Sequence, residues 1–467
     1  MLDSQSPIPE PVDLTIIHGV VLTMDEQRRI VADGAIAIRG GRISAVGQTT
    51  DLLRSYRPAR TIDARGGVIQ PGFIDCHVHL TLHLGRGSIP DSWPAEREHE
   101  QWLPYWTNLS EEEANCAATL ACMEMACNGT TTFCDQSGRY PTALTAKAVA
   151  SVGLKAILTR AIWDVAPYPE VAMGNAAECA DRIERSLLEL PRTADGQIWA
   201  GVGLAGMGSC SDAMIQQAKR LADDHGTIMS MHQSFGPQDV ARYRKLTGGK
   251  PAVAHLDELG VLGANLQLIH MIHTEESEVG ILAGTHTNVV HCPSASMRAA
   301  MGASHVGRFP EMIERGVNVA LGSDAGTYSD YLDIGRQAYL AATLHQEAKQ
   351  RLPMISAHKA LEMATLDGAK SLGILAETGS IEVGKRADIA IHSHRRPEWH
   401  PGHNVVNGLI FAAQSTGVDT VLVDGEPILE GGRFTRIDEE IEYERIDQAA
   451  RKLFDRIGFD PGRNSRR

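Results

Sequence analysis

Six side chains that could bind a metal or move a proton close apolar runs of this chain. His77 and His79 finish FIDCHVH, His232 finishes GTIMSMH, His270 finishes LQLIH, His291 finishes NVVH, and Asp324 finishes NVALGSD. Strand side chains alternate with period two, so His77 and His79 leave the backbone on one side, a chelating arrangement. A lone His-x-His carries little weight, and the recurrence of histidine or aspartate at successive run ends carries more. Three neutral imidazoles and one carboxylate, from His77, His79, His232 and Asp324, suit Zn²⁺ and are compatible with Fe²⁺, Co²⁺ or Mn²⁺, leaving room for a water. One such ion would acidify that water towards neutrality and make it a nucleophile. Asp324 has two oxygens and can touch the metal with one while taking a proton with the other, as general base. His270 is expected near the water, orienting it or stabilising a developing oxyanion. His291 and Ser294 are expected to contact substrate, and His273 to be a loop histidine.

The elements that must position these groups follow from the runs themselves. GTTTFCD, LKAILTRAIWD, IWAGVGLAG, GTIMSMHQS, LQLIHMIH, NVVHCPS and NVALGSDAG are near-continuous apolar β-type segments separated by amphipathic helical stretches. With FIDCHVHL they make about eight, the pattern of a parallel sheet covered by helices, and the count favours a (β/α)8 barrel. AMIQQAKRLADDHG ends in glycine just before the next strand, as an αβ connection should. Barrel active sites form at the C-terminal strand ends, where all six polar residues fall. The first seventy residues alternate short β-rich runs with glycine-bounded turns and read as hairpin strands, and a similar texture returns in GSIEVGKRADIAIHS and DTVLVDGEPILEGG. We therefore expect a small β-sandwich from 1–70 plus 378–436, a barrel over 71–377, and a helix and tail over 437–467. The stretch 83–106 is expected to be a lid or binding loop, with Trp93, Trp102, Trp106 and Tyr105 facing an apolar ligand or packing on the barrel. Arg160 and Trp163 are weaker candidates of the same kind.

The chain has 467 residues, 43% hydrophobic and 22% charged, enough for one large core and a satellite domain. Its formal charge of -14 disfavours nucleic acid and anionic membrane as partners. No basic, apolar leader opens it and no apolar run spans a bilayer, so a cytoplasmic protein is expected. The eight cysteines form no CxxC pair and read as free buried thiols. Cys292, beside His291, is the one with a conceivable nucleophilic role.

Taken together, PGFIDCHVH, the strand-end His232 and His270, HCPSASMRAAMG, EMIERGVNVALGSDAG and LEMATLDGAKSLGILAETGSIEVGKRADIAI resemble the amidohydrolase superfamily. The branch is that of triazine hydrolases, cytosine and guanine deaminases and adenosylhomocysteine deaminases, and the resemblance spans nearly the whole chain. It implies a barrel with one divalent metal, His77, His79, His232 and Asp324 as ligands, His270 as a catalytic histidine, and a homodimer or homotetramer. One departure bears on substrate. Deaminases of this branch carry a glutamate three residues after the histidine matching His232, and here that residue is Phe235 in His232-Gln233-Ser234-Phe235. Deaminating an aromatic ring needs a proton on the ring nitrogen, whereas a metal can itself polarise a carbonyl. The sequence expectation is therefore hydrolysis of a carbon–nitrogen bond in an amide, urea or (thio)carbamate-type small molecule, as in the related phenylurea and thiocarbamate hydrolases. The alternative is a deaminase or dehalogenase of a nitrogen heterocycle, with another acid such as Asp239 replacing the glutamate. A noncatalytic assembly subunit is disfavoured by the complete ligand set. Phe235 is expected to line the substrate pocket.

Overall fold

A computed structural model describes residues 9–89, 99–138, 140–166, 171–194 and 196–459. Eight parallel strands form the central barrel. The first three are Phe73–His79, Thr130–Gln136 and Lys155–Thr159; the fourth is broken into Ile198–Ala200 and Val202–Leu204. Met229–Gln233, Leu266–His270 and Asn288–His291 follow, and the eighth is broken into Val319–Leu321 and Asp324–Ala325. The breaks divide the hydrogen bonding into two five-stranded sheets, and the ring closes where Asp324 and Ala325 pair with Val78 and His79. Most of the strands add to one interior apolar cluster, which includes Ile74, Cys134, Ile157, Trp199, Ile269 and Val290. Helices capped by their own sequence surround it. Ser110 and Glu113 form a capping box at Glu111–Cys127, and Asn175 and Glu178 do so at Ala176–Glu189. Gly72 admits the first strand, because a Cβ there would lie 2.2 Å from the Thr131 side chain.

The chain ends meet in a separate β domain, as expected, but as one nine-stranded hydrogen-bonded sheet. Val68–Pro71 pairs antiparallel with Ile389–His392, joining N-terminal to C-terminal strands. Ile16, Ile36, Ile69, Ile389 and Leu422 share a single apolar core, so both halves bury a common face. The hairpin expectation holds for Glu10–Leu22, Ile30–Arg39 and Arg42–Gln48, which are antiparallel neighbours. It fails for Tyr56–Asp63 and Val68–Pro71, which run parallel to the first strand. The helix Thr49–Ser55 carries the chain back before Tyr56, and such a crossover gives parallel pairing.

A buried ion cluster joins barrel and β domain. Lys155 Nζ lies 2.8 Å from both carboxylate oxygens of Asp388 and 2.6 Å from Asp424 Oδ1. The helix Glu439–Arg456 closes the fold against Glu111–Cys127, with Arg445 donating to Asn115 at 3.1 Å. The expected tail from 460 lies outside the described residues. No described helix is long and apolar enough to cross a membrane. All eight cysteines are unpaired; seven are buried, and Cys127, against expectation, is exposed on the last turn of its helix.

Candidate active site

The mouth of the barrel brings His77, His79, His232, His270 and Asp324 together. His77 and His79, two residues apart, share a face, and the register shift between Asp75 and Val78 turns that face inward after the inner apolar positions Ile74 and Cys76. Asp75 braces the same strand from behind: its carboxylate accepts from the backbone of His77 at 3.2 Å and of Ser323 at 3.0 Å, and from Ser323 Oγ at 2.5 Å. Burial pushes the Asp75 carboxyl up to about 7. The same carboxylate thus ties the first and last strands, one residue before Asp324.

His270 and Asp324 reach the site differently. Leu266 and Leu268 face the helices, and His270 has their parity. It turns inward because its backbone is left-handed, with φ 75°; Asp324 has φ 67°. Such conformations cost a non-glycine residue of order 1–3 kcal/mol and cluster where a function holds them.

The donor atoms then converge. His79 Nδ1 donates to the Gln136 carbonyl at 2.9 Å and His232 Nδ1 to the Ala205 carbonyl at 2.7 Å. These bonds fix the tautomers and leave each Nε2 with a lone pair, yet the two Nε2 atoms stand 3.3 Å apart. Two lone pairs cannot bond each other, so a cation is what this contact calls for. His77 is fully buried, and neither ring nitrogen has a hydrogen-bond partner among the described residues. Its Nε2 lies 3.4 Å from Asp324 Oδ1, and His79 Nε2 lies 3.5 Å from the same oxygen. Ligands at zinc distances on a tetrahedron are about 3.3–3.4 Å apart, so these donors fit one small divalent ion. His270 Nε2 stands 3.8 Å from the other oxygen, Asp324 Oδ2. Burial depresses all four imidazoles: His79 and His270 to about 3, and His77 and His232 below the usual histidine value. All are neutral near pH 7, the form a metal requires.

Above these groups opens a cavity of about 640 Å³. Its walls include Trp102, Trp106, Trp163, Phe235 and Tyr328. The indoles run in series, Trp102 stacked on Trp106 at 5.5 Å and Trp106 tilted against Trp163 at 5.4 Å. Phe235 is T-shaped to His270 at 5.9 Å. Trp102 and Phe235, expected to contact substrate, thus line this cavity, and Trp93 lies outside the described residues. Of the expected lid, the helix His99–Asn108 contributes Trp102 and Trp106 to the wall, whereas Tyr105 is buried and donates to the Thr81 carbonyl at 2.8 Å. Gln136, Asp239 and Arg242 are among the cavity's polar lining.

His291 and Ser294 do not reach the cavity. Val290 and Cys292 take the inner positions of that segment, so alternation turns His291 outward, where it stacks on Phe309 at 3.8 Å. Ser294 spends its backbone N–H and its hydroxyl on Gln337, at 3.2 and 2.6 Å. Burial pushes the Cys292 thiol well above its ordinary value, which removes it as a nucleophile. His273 bonds the Met301 carbonyl at 3.0 Å, and Arg160 bonds that of Gly138. The positioning carbonyls of Gln136 and Ala205 carry no side-chain signal, so only the fold reveals them.

Comparison with known proteins agrees with this geometry. Residues 68–428 match the amidohydrolase family, and residues 34–59 match the imidazolonepropionase-like composite domain of bacteria. A 5-methylthioadenosine/S-adenosylhomocysteine deaminase of Syntrophobacter fumaroxidans is 32% identical over 441 residues, covering 94% of this chain and 98% of that protein. An adenosine deaminase structure from Xanthomonas campestris with bound zinc superposes with a TM-score of 0.89 at 28% identity, over 96% of this chain and 99% of that one. Zinc-complexed atrazine chlorohydrolase of Arthrobacter aurescens, 22% identical, shares the fold with a TM-score of 0.84, over 94% of this chain and all of its own (100%). With barrel, β domain and converging donors all in place, the chain belongs to the amidohydrolase family and is a hydrolase of carbon–nitrogen bonds other than peptide bonds.

Proposed function

We propose that the protein is an aminohydrolase that removes an exocyclic amino group from a planar nitrogen heterocycle of the adenosine type. The observation that carries this reading is the end-to-end similarity to 5-methylthioadenosine/S-adenosylhomocysteine deaminases, which outweighs the amide, urea or carbamate preference drawn from Phe235 alone. The cavity supports it: about 640 Å³ suits a nucleoside-sized molecule, and the indole series offers apolar faces to a flat ring.

His77, His79, His232 and Asp324 would hold one divalent ion; the zinc bound in the Xanthomonas campestris structure makes zinc the first choice. Such an ion supplies a Lewis acid and an acidified water at neutral pH. Asp324 points Oδ1 at His77 and His79 and leaves Oδ2 towards His270, so one oxygen remains to take a proton. His270, neutral through burial, orients the attacking oxygen by hydrogen bonding. The substrate is a small molecule in this scheme.

A panel on metal-replete protein tests the proposal. Ammonia release is expected from at least one of adenosine, 5'-deoxyadenosine, 5-methylthioadenosine, guanine or an aminotriazine. The carbonyl reading keeps one observation in its favour, the apolar Phe235 beside His270. Turnover of phenylureas or thiocarbamates with no ammonia from any heterocycle would establish that reading instead.

A further inference from the structure

Expelling an amine from a ring carbon needs a proton donor on the leaving-group side, because an amide anion is too poor a leaving group. Among the described residues, the cavity is lined by only two carboxyl groups, Asp324 and Asp239. Asp324 is committed to His77 and His79 at the base. Asp239 stands in the first turn of the helix Pro237–Leu246, which follows the strand carrying His232. Its side chain is buried. Its nearest cation, Arg242 Nη2, lies 3.4 Å from Oδ1, too far for a strong ion pair. Oδ2 has no hydrogen-bond partner among the described residues. A buried oxygen left so at a cavity wall loses hydration free energy unless a ligand or solvent faces it.

We infer that Asp239 is the acid that protonates the departing amine. This rests on the aminohydrolase reading above. In the balanced reaction the water oxygen bonds to the ring carbon, and the carbon–amine bond breaks with its electron pair staying on nitrogen. Asp239 gives its proton to that nitrogen, releasing ammonia, and regains one from the new hydroxyl as the carbonyl forms. Asp324 relays the other water proton to the ring nitrogen, so no co-reactant is needed. Burial raises the Asp239 carboxyl above its ordinary value, while Arg242 and the backbone amides of Phe235 and Ser234 pull the other way, which suits a group that must hold and then give a proton.

The test compares leaving groups. On the best amino substrate of the panel, Asp239→Asn should lower kcat at least ~100-fold with KM within ~3-fold. On the analogue bearing chloride in place of the amine, which leaves without a proton, the loss should stay below ~5-fold. Metal content by elemental analysis and the melting temperature should match wild type. Phe235→Glu added to Asp239→Asn, which puts a carboxyl on the same cavity wall, should regain ~10-fold or more of the amine rate. Asp239→Ser, read by the same amine-to-chloride ratio, serves if the asparagine variant fails to fold. An amine rate within ~3-fold of wild type, or equal losses with both leaving groups, overturns the assignment. If wild type deaminates no heterocycle, the aminohydrolase reading falls first and this assignment with it.

Discussion

His270→Asn separates a residue that holds the metal from one that serves the reacting oxygen. The spacing around Asp324 sets the expectation: His77 and His79 address Oδ1 at 3.4 and 3.5 Å, while His270 addresses Oδ2 at 3.8 Å. The tight donor set is complete without His270, so its loss should leave about one divalent ion per chain. Asparagine is the substitution of choice because position 270 has φ 75°, a left-handed conformation that asparagine accepts readily. Removing a group aimed at developing charge costs about 10²–10³ in kcat, or about 2.7–4 kcal/mol of transition-state stabilisation. Steady-state ammonia release on the best substrate reads the rate, and elemental analysis of the same sample reads the metal. His270→Ala should add backbone strain of order 1 kcal/mol and melt lower than the asparagine variant. Metal lost in proportion to rate would make His270 a direct ligand. A kcat within ~3-fold of wild type would leave it no part in the chemistry.

Three further outcomes follow from other parts of the molecule. Chelation, or His77→Ala, should abolish turnover and lower the melting temperature by several degrees, since an ion present at 1,000 times its Kd adds about 4 kcal/mol; full activity in metal-free protein would refute the donor assignment. Lys155→Met leaves Asp388 buried beside Asp424 without its cation, so urea denaturation should show a loss of about 3–5 kcal/mol, partly restored by adding Asp388→Asn; a loss under ~1 kcal/mol would contradict the cluster's role. His345 is buried with both ring nitrogens unpartnered among the described residues, and burial lowers it to about 4. The unfolded chain binds that proton below about 6.5 and the native state does not, so stability should fall between pH 6.5 and 4 by of order 3 kcal/mol through this group. His345→Leu should flatten that arm in denaturation measured at pH 7.5 and 5, and an unchanged slope would count against it.

How much of the site can be read from the chain depends on whether side-chain direction follows from local periodicity. His77 and His79 are two apart and point together, and the βα rhythm that delivers them was visible in the apolar runs. What periodicity hides are the interruptions. The fourth and eighth strands are split at Gly201 and at Gly322–Ser323, and a Cβ on Gly322 would lie 2.8 Å from His77 Cβ, so that break lets the histidine in. Tyr56–Asp63 looks like the return arm of a hairpin, but its parallel pairing depends on a crossover that composition does not announce. The cavity wall gathers Trp163, Asp239 and Tyr328 from segments far apart in sequence, which only the barrel brings together.

His270 and His291 show the same limit from opposite sides. Both end apolar runs, and both have the parity of residues that face the helices. His291 obeys it and becomes a packing residue against Phe309. His270 breaks it through a positive φ and enters the mouth, as Asp324 does at 67°. His270 and Asp324, assigned to the reacting oxygen and to a proton at the base of the site, thus both have left-handed backbones, while His77, His79 and His232 do not. That division makes chemical sense. A donor that only binds the metal needs a fixed direction, which a strand provides. A group that must meet a transient oxygen or proton needs a position between strand directions, and a left-handed residue at the strand end supplies it at an energetic cost that the surrounding barrel offsets.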